Sequence, residues 1–172
     1  MPPGTRTIPV PPPRRHGGRA RPRSSPDVRA ARAGDDAGVE TTTVSVRTGR
    51  RERVHDLTGE AGRFVAGRGD GLLSVFVPHA TAGIAILELG SGSDEDLLAA
   101  LAELLPADDR WRHAHGSPGH GRSHVMPAFL PPSLTVPVLD GRLALGTWQS
   151  VALVDLNVDN QDRTVRFSFL AG

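Results

Sequence analysis

The chain has 172 residues, with 20 arginines and no lysine, cysteine or tyrosine. The absence of cysteine excludes disulfides and thiolate metal sites, and the absence of lysine excludes Schiff-base chemistry and a P-loop. Residues 1–34 contain eight arginines and one acidic residue, whereas 12 arginines face 18 acidic residues from residue 35 onward, so that part carries a formal charge of −6.

The excess of arginine belongs to a proline-rich leader. Eight prolines occur in the first 26 residues, and a segment with so few apolar side chains cannot bury enough surface to offset its chain entropy. We therefore predict a disordered leader over residues 1–38 and a single folded domain over residues 39–172.

Charge and hydropathy also limit the partners that we expect. The leader has no aromatic residue to stack on bases and the domain is acidic, which argues against a nucleic-acid partner. No apolar run approaches the roughly 18 residues of a membrane span, and the leader lacks the apolar region of a secretory signal. We expect a cytoplasmic protein with no membrane partner.

The domain is predicted to begin with two strands separated by a short helix. Residues 41–47 alternate and are rich in β-branched side chains, which indicates a strand. A helix is predicted to begin at Thr58 and end at Gly67. Residues 72–78 are apolar enough for a central strand, and this strand places His79 at its end.

The middle of the chain predicts helices on either side of a loop. A helix over residues 95–105 has one leucine-rich face and is capped within Ser91–Asp94. Residues 107–123 are rich in glycine, histidine and aspartate, which is typical of a loop. Residues 125–130 predict a short helix in which Pro127 fits the first turn only.

The C-terminal third predicts an antiparallel meander. Residues 133–139 and 142–145 form a hairpin through the Asp-Gly turn at 140–141, and residues 148–156 and 164–170 form two further strands. The predicted fold class is therefore α+β, a single compact domain with a mainly antiparallel β-sheet or sandwich and two to three helices.

Histidine is the residue type best suited to chemistry in this composition. Four histidines fall within twelve residues: His113, His115, His120 and His124. Such a group is either a metal or phosphate site or a solvated loop, because imidazole binds metal ions and imidazolium pairs with anions. His79 precedes the small residues 80–83, whose backbone amides suit an anion-binding turn. The spacing alone leaves these alternatives open.

Five short motifs follow one another along the domain. They are Val77–Ile84 with Glu88, Trp111–His113, Ser123–His124, Phe129–Ser133, and Gly141–Gln149, which contains Leu-Gly-Thr-Trp-Gln. In sequence and order they resemble the YjbQ-like family, once catalogued as uncharacterised and often labelled secondary thiamine-phosphate synthase. The resemblance covers about residues 40–172.

The resemblance implies a compact α+β fold, a homotrimer, and a site that combines His79, His113 and His124. Three imidazoles with an open fourth position are the usual layout of a catalytic divalent metal ion, and zinc is the first candidate. The implied substrate contacts are Thr81, Ala82, Gly83, Ser133, Thr147, Gln149 and Arg163. Trp148 is expected instead to be a core residue whose indole N–H bonds to the backbone.

The reaction implied by the family label joins a hydroxymethylpyrimidine diphosphate to a thiazole phosphate and releases pyrophosphate. We therefore expect a small phosphorylated ligand, with Arg163 and a metal ion stabilising the leaving diphosphate. Glu88 is expected to act as a catalytic base or, like Asp96, to orient a histidine. Two alternatives use the same residues: a metal-dependent phosphohydrolase, and a non-catalytic trimer that binds a metal or anion.

The chain departs from the family pattern close to the expected site. His120 stands where the family usually has asparagine, and Arg122 stands where it often has histidine. The stretch 155–163 replaces a family segment, so only Arg163 carries over and one family arginine is missing. The substrate therefore stays open, and His115 and His120 rank second as site residues.

Overall fold

The computed structural model describes residues 38–108 and 110–172. The predicted leader lies outside the described residues, apart from Gly38. The elements in chain order are β1 (Glu40–Arg47), β2 (Arg53–Asp56), α1 (Thr58–Val65), β3 (Gly71–Phe76), β4 (Ala82–Leu87), α2 (Ser93–Leu104), α3 (His120–Val125), a 3-10 turn (Met126–Ala128), β5 (Ser133–Leu139), β6 (Arg142–Leu143), β7 (Ser150–Asp155) and β8 (Asp162–Ala171).

The strands form two stacked sheets. Helices α2 and α3 cover the outer face of the smaller, three-stranded sheet. The first sheet has the order β1-β8-β3-β5-β6 and the second has the order β2-β7-β4. Every strand pair within the described residues is antiparallel. The predicted α+β class with mainly antiparallel sheets and three helices is confirmed. In the described part of the chain, no helix is long and apolar enough to cross a bilayer.

The main core lies between the two sheets and follows the two-residue alternation of the strands. The inward-facing residues of β3 and β8 include Leu73, Val75, Val165, Phe167 and Phe169. Helix α1 buries Ala61 and Val65 against the same core. Because alternate side chains of a strand point to opposite faces, this pattern buries one face of the five-stranded sheet.

A smaller core lies between the outer face of the three-stranded sheet and the helices. Leu101 of α2 packs there with Met126 and with Val154 of β7. Trp111 packs against this cluster, and its indole Nε1 donates to the carbonyl oxygen of Pro106 at 2.8 Å. Packing and this hydrogen bond therefore fix the position of Trp111, where the following loop begins.

Two helix boundaries differ from prediction. Helix α2 begins at Ser93, two residues before the predicted start. The residue at its N-cap is Gly92, with φ of 96°, so no side chain caps the helix there. Helix α3 begins at His120, inside the predicted loop 107–123, and ends where the predicted helix begins. The start of α3 is held by a contact to Asp159, far along the chain, which no local pattern indicates.

The meander prediction is wrong in its connectivity. The β5–β6 hairpin forms at the predicted Asp-Gly turn, where Asp140 adopts φ of 53°. Strand β7, however, joins the three-stranded sheet between β2 and β4, while β8 returns to pair with β1 and β3. Neither β2 nor β4 was predicted, because β2 is only four residues long and the small residues of β4 resemble a turn.

Within the described residues, Ala82 and Gly83 of the small run 80–83 lie in a strand and allow close packing. Ala82 and Gly83 are buried in strand β4 and pair with β7, so they belong to a strand and not to a turn. A Cβ added at Gly83 would lie 2.2 Å from the carbonyl oxygen of Leu130. Glycine is required there because the strand passes directly beneath that backbone.

Candidate functional site

Four histidine side chains meet at α3 and in the loop before it. His120 and His124 lie one helical turn apart on the same face of α3, with their Nε2 atoms 3.0 Å apart. His113 and His115 reach them from the preceding loop. One ligand nitrogen from each of the four lies within 4.8 Å of the others. Donors around a tetrahedral zinc ion lie about 3.3 Å apart, so the spacing of these nitrogens is close to the spacing that one such ion requires.

Gly121 allows the loop to lie against α3. A Cβ at this position would lie 2.5 Å from both the carbonyl oxygen of His113 and the Cβ of Trp111. Any larger residue would push the loop outward and carry the His113 imidazole away from His124. The close approach of the two segments therefore depends on a glycine in the first turn of the helix.

Asp159 orients His120. Its Oδ2 atom lies 2.6 Å from Nδ1 of His120 and accepts the backbone N–H of Ser117, while its Oδ1 atom accepts the Ser117 hydroxyl. The hydrogen bonds from Ser117, followed by the one from His120, lower the pKa of Asp159, so its carboxylate is ionised at neutral pH. An ionised acceptor holds the proton on Nδ1 and leaves the Nε2 lone pair facing His124. Histidines that bind metals commonly have such a partner.

Two departures from the family pattern meet in this hydrogen bond. The resemblance implied an asparagine at the position of His120, and Asp159 lies in the stretch 155–163 that departs from the family pattern. Gly116, with φ of 86°, lies against both, since a Cβ there would lie 2.7 Å from Oδ2 of Asp159 and from Nδ1 of His120. The altered residues therefore form one local unit in this chain.

The surroundings of His113 and His124 favour their neutral imidazoles. Burial lowers the pKa of His124 below its usual 6.5, and the charges that His113, His120 and His115 carry when protonated lower it further. The pKa of His113 is lowered in the same direction, by desolvation and then by His115 and His120. Neutral imidazole is the form that binds a metal ion, and the direction of these two shifts favours that form.

A cavity of about 220 Å³ opens beside the cluster. The side chains that line it include those of Asp108, Trp111, His113, His115, Ser117 and His120. Its volume is below the range of whole drug-sized ligand pockets, which suits a small group such as one phosphoryl moiety. Three of the four imidazoles are therefore accessible from one concave surface.

His79 lies at a different place, beside a buried ion pair. Arg163 and Asp155 make a bidentate contact with two N–O distances of 2.7 Å, and both side chains are fully buried. Nε2 of His79 accepts the backbone N–H of Thr164 at 2.9 Å, and its Nδ1 lies 3.5 Å from Arg163. Burial and then the charge of Arg163 lower the pKa of His79. The imidazole therefore supports the start of β8 in its neutral form.

The structure thus divides the predicted ligand set. It brings His113 and His124 together and adds His115 and His120, which the sequence ranked second. His79 lies outside this group within the described chain. The i, i+4 spacing of the two helical histidines was the available signal, but it was missed because the helix was predicted to begin after them.

The predicted substrate contacts do not line the cavity beside the histidines. Thr81, Ala82 and Gly83 are buried, whereas Ser133, Thr147 and Gln149 are exposed. Arg163 directs two of its nitrogens to Asp155 and is 1% exposed, so its guanidinium is occupied by a partner within the chain.

Three further residues lie outside the cluster. Trp148 is 72% exposed, so the prediction that it belongs to the core is wrong. Glu88 follows β4 and Asp96 lies in the first turn of α2, and neither belongs to the group of ligand atoms around the histidines. Among the described residues, the carboxylate that contacts a histidine of the cluster is that of Asp159, which sequence reasoning noted only as part of an altered stretch.

Comparisons with known proteins agree with this fold. The family model described as "UPF0047 protein YjbQ-like" matches residues 42–172. The chain is 58% identical over 134 residues to UPF0047 protein Rv2556c of Mycobacterium tuberculosis, a match that covers 78% of this chain and 100% of that protein.

Solved structures resemble the chain over a similar length. A YbjQ-like protein of unknown function from Sulfolobus solfataricus P2 matches with a TM-score of 0.73 and 28% identity, covering 78% of this chain and 99% of that one. A hypothetical protein from Aeropyrum pernix K1 matches with a TM-score of 0.70 and 33% identity, covering 77% of this chain and 99% of that one. The chain therefore belongs to the UPF0047, or YjbQ-like, family.

Proposed function

We propose that this chain binds one divalent metal ion in the histidine cluster. The observation that carries the proposal is the convergence of four imidazoles whose ligand nitrogens lie within 4.8 Å of one another. The ionised Asp159 carboxylate on His120 and the lowered pKa values of His113 and His124 support it. Zinc is the first candidate because imidazole nitrogens in a tetrahedral arrangement suit it.

We further propose that the centre acts on a small phosphorylated molecule. A bound divalent ion supplies positive charge to phosphoryl oxygens. The chain's own residues hold that ion through the imidazoles, keep His120 in its Nδ1–H tautomer through Asp159, and provide the cavity with the Ser117 hydroxyl on its wall. The thiamine-phosphate synthase reaction is the first candidate, since it releases a diphosphate whose charge must be stabilised.

The fourth imidazole favours a second candidate function, a non-catalytic metal-binding protein. Structural zinc sites usually have four protein ligands, whereas catalytic sites keep one position for water or substrate. Whether His115 binds the ion distinguishes the two functions. His115 is the least certain ligand, because it lies on the loop and its ring centre is 6.4 Å from that of His124, the widest separation in the cluster. If His115 stays outside the coordination sphere, the fourth position is open.

Metal binding is tested by titrating chelator-treated protein with zinc. We expect about one tight site per chain, and at least about a 100-fold loss of affinity in the double variant His113→Ala/His124→Ala, because two ligands are removed. His55→Ala is the matched control, since it removes an imidazole from β2, outside the cluster. Zinc binding by the double variant at wild-type affinity would contradict the proposal.

Catalysis is tested with the zinc-loaded chain. Product formation from the two thiamine precursors is measured beside phosphate release from a set of phosphomonoesters. We expect turnover in one assay, its loss in His113→Ala/His124→Ala, and its retention in His115→Ala. Tight zinc binding without turnover, weakened by His115→Ala, would support the closed four-histidine site instead.

We propose that the assembly is a homotrimer. The outer face of the five-stranded sheet presents Leu72 and Leu170 side by side on β3 and β8, 46% and 45% exposed. Exposed apolar residues that adjoin one another are typical of contact surfaces. We expect Leu72→Arg to dissociate the trimer in sedimentation-velocity runs, whereas Leu104→Arg on the helical layer leaves it intact. Sedimentation of the wild-type chain as a monomer would contradict this assembly.

The metal-free protein is expected to lose stability as the pH falls below about 6.5. The pKa values of His113 and His124 are lowered in the folded chain, so the unfolded chain takes up protons first during acidification. Stability is therefore complete above the unfolded value and declines towards the folded value. Urea unfolding from about pH 8 to about pH 5 measures the slope. His113→Asn/His124→Asn should flatten it, and an unchanged slope would rule out these two groups as its source.

A further inference from the structure

A second concave site lies in the connection between β1 and β2. Four of the 12 arginines beyond residue 34 fall within the seven residues that comprise this connection and the adjoining strand ends: Arg47, Arg50, Arg51 and Arg53. With Thr48 and Gly49 they line a broad depression of about 430 Å³ that is largely open to solvent. We name these residues, 47–53, the arginine loop. It shares no lining residue with the cavity beside the histidine cluster.

The positive charge of the arginine loop is not neutralised within the described chain. All four guanidinium-bearing residues are exposed, and none has a described carboxylate within 4.0 Å. The only acidic residue of the loop, Glu52, pairs with Arg122 of α3 instead. Four like charges on one concave surface repel one another, and a multiply charged anion would relieve that repulsion.

The loop is held in place at both ends. The backbone N–H groups of Thr48 and Gly49 both donate to the carbonyl oxygen of Gln161, at 2.8 and 3.0 Å. Glu52 is fixed by Arg122, which is 2% exposed and also donates to a backbone carbonyl at the end of α2. The buried residues Thr48 and Arg122 therefore anchor the loop, and its arginines project from a rigid base. Such preorganisation lowers the entropy lost on binding.

We propose that the arginine loop binds a small ligand carrying a diphosphate group. Guanidinium forms paired, charge-assisted hydrogen bonds with phosphate oxygens, and several arginines on one wall match several phosphate charges. A volume of about 430 Å³ is within the range of small-molecule sites. Arg163, the arginine that the sequence assigned to phosphate, is occupied by Asp155, so the loop provides the free guanidinium groups that Arg163 does not.

A small ligand fits this loop better than a nucleic acid does. Beyond residue 34, the eight arginines outside the loop face 17 acidic residues outside it, so an extended polyanion meets repulsion away from the loop. The loop also contains no aromatic residue on which a base would stack. The positive electrostatic potential is therefore confined to the arginine loop, which favours a compact anion over an extended one. This inference stands on the arginines alone and does not require the metal site.

Binding is tested by calorimetric titration of pyrophosphate into the full-length, chelator-treated chain at low ionic strength. We expect saturable binding that weakens at least about tenfold in Arg50→Gln/Arg51→Gln, because two charge-assisted pairs are removed. The control Arg63→Gln/Arg142→Gln removes the same charge at exposed positions elsewhere and should change the affinity less than about twofold. The arginines of residues 1–34 are the same in all variants. Equal unfolding midpoints confirm that the variants are folded.

Three results would overturn the proposal: no binding of pyrophosphate to the wild-type chain, equal losses in the two double variants, or tighter binding of a short single-stranded DNA that the loop variant weakens. The variant His113→Ala/His124→Ala separates this proposal from the metal site. Loss of zinc binding with retained pyrophosphate binding supports an independent anion site. Loss of pyrophosphate binding in that variant assigns the anion to the histidine cluster and refutes the arginine loop.

Discussion

Replacement of Arg163 by methionine is expected to lower the free energy of unfolding by about 3–5 kcal/mol. Asp155 loses both hydrogen bonds from the Arg163 guanidinium and remains fully buried with no ion-pair partner, keeping only the hydrogen bond from the backbone N–H of Asn157. His79 also loses a neighbour at 3.5 Å. Urea unfolding of the metal-free chain measures the change. The effect is large because a lone buried carboxylate must give up its solvation or take up a proton.

The double variant Asp155→Leu/Arg163→Met is expected to lose less stability than Arg163→Met alone. Two apolar side chains in place of the ion pair leave no uncompensated charge. Arg166→Met on the same strand is the control, since Arg166 makes no described ion pair and should change stability by no more than about 0.5 kcal/mol. If Arg163→Met lowers the free energy of unfolding by less than about 1 kcal/mol, the ion pair does not stabilise the fold, and Arg163 again becomes a candidate ligand contact.

Replacement of Asp159 by alanine is expected to weaken zinc binding about 10- to 100-fold. The Asp159 carboxylate is 2.6 Å from Nδ1 of His120 and holds the proton there, so that Nε2 faces the other imidazoles. Without this carboxylate, the His120 ring can rotate or change tautomer. Binding of the ion must then also order the His120 side chain, which lowers the affinity. Competition with a chromophoric chelator measures the affinity.

Asp159→Asn is the informative intermediate, because its side-chain oxygen can still accept the Nδ1 proton of His120. We expect it to retain more zinc affinity than Asp159→Ala. The matched control is Asp162→Ala, which removes an exposed carboxylate with no described ion pair three residues further on. Wild-type affinity in Asp159→Ala would mean that His120 is oriented by packing alone. Equal losses at both positions would point to the general charge of the region.

Each of these two predictions involves a contact between residues that are distant in sequence. Asp159 and His120 are 39 residues apart, and Arg163 and His79 are 84 residues apart. The sequence marked three of these four residues as candidates, through the histidine count and the family motifs. It did not indicate which of them meet, because a residue's partner depends on the path of the whole chain. Trp148 shows the same limit, since its apolar side chain predicts burial and the fold leaves it exposed.

Local chemistry determined much of the fold from sequence. The alternation of β1, the leucine-rich face of α2 and the Asp-Gly turn at residues 140–141 each act within a few residues, so each predicted its element. The motif order determined the family. Tertiary structure alone decided that β7 and β8 lie in different sheets, since sheet membership depends on pairings between distant strands. It also decided that His120 completes the histidine cluster and that Arg163 is buried against Asp155, because both depend on side chains that only the folded chain brings together.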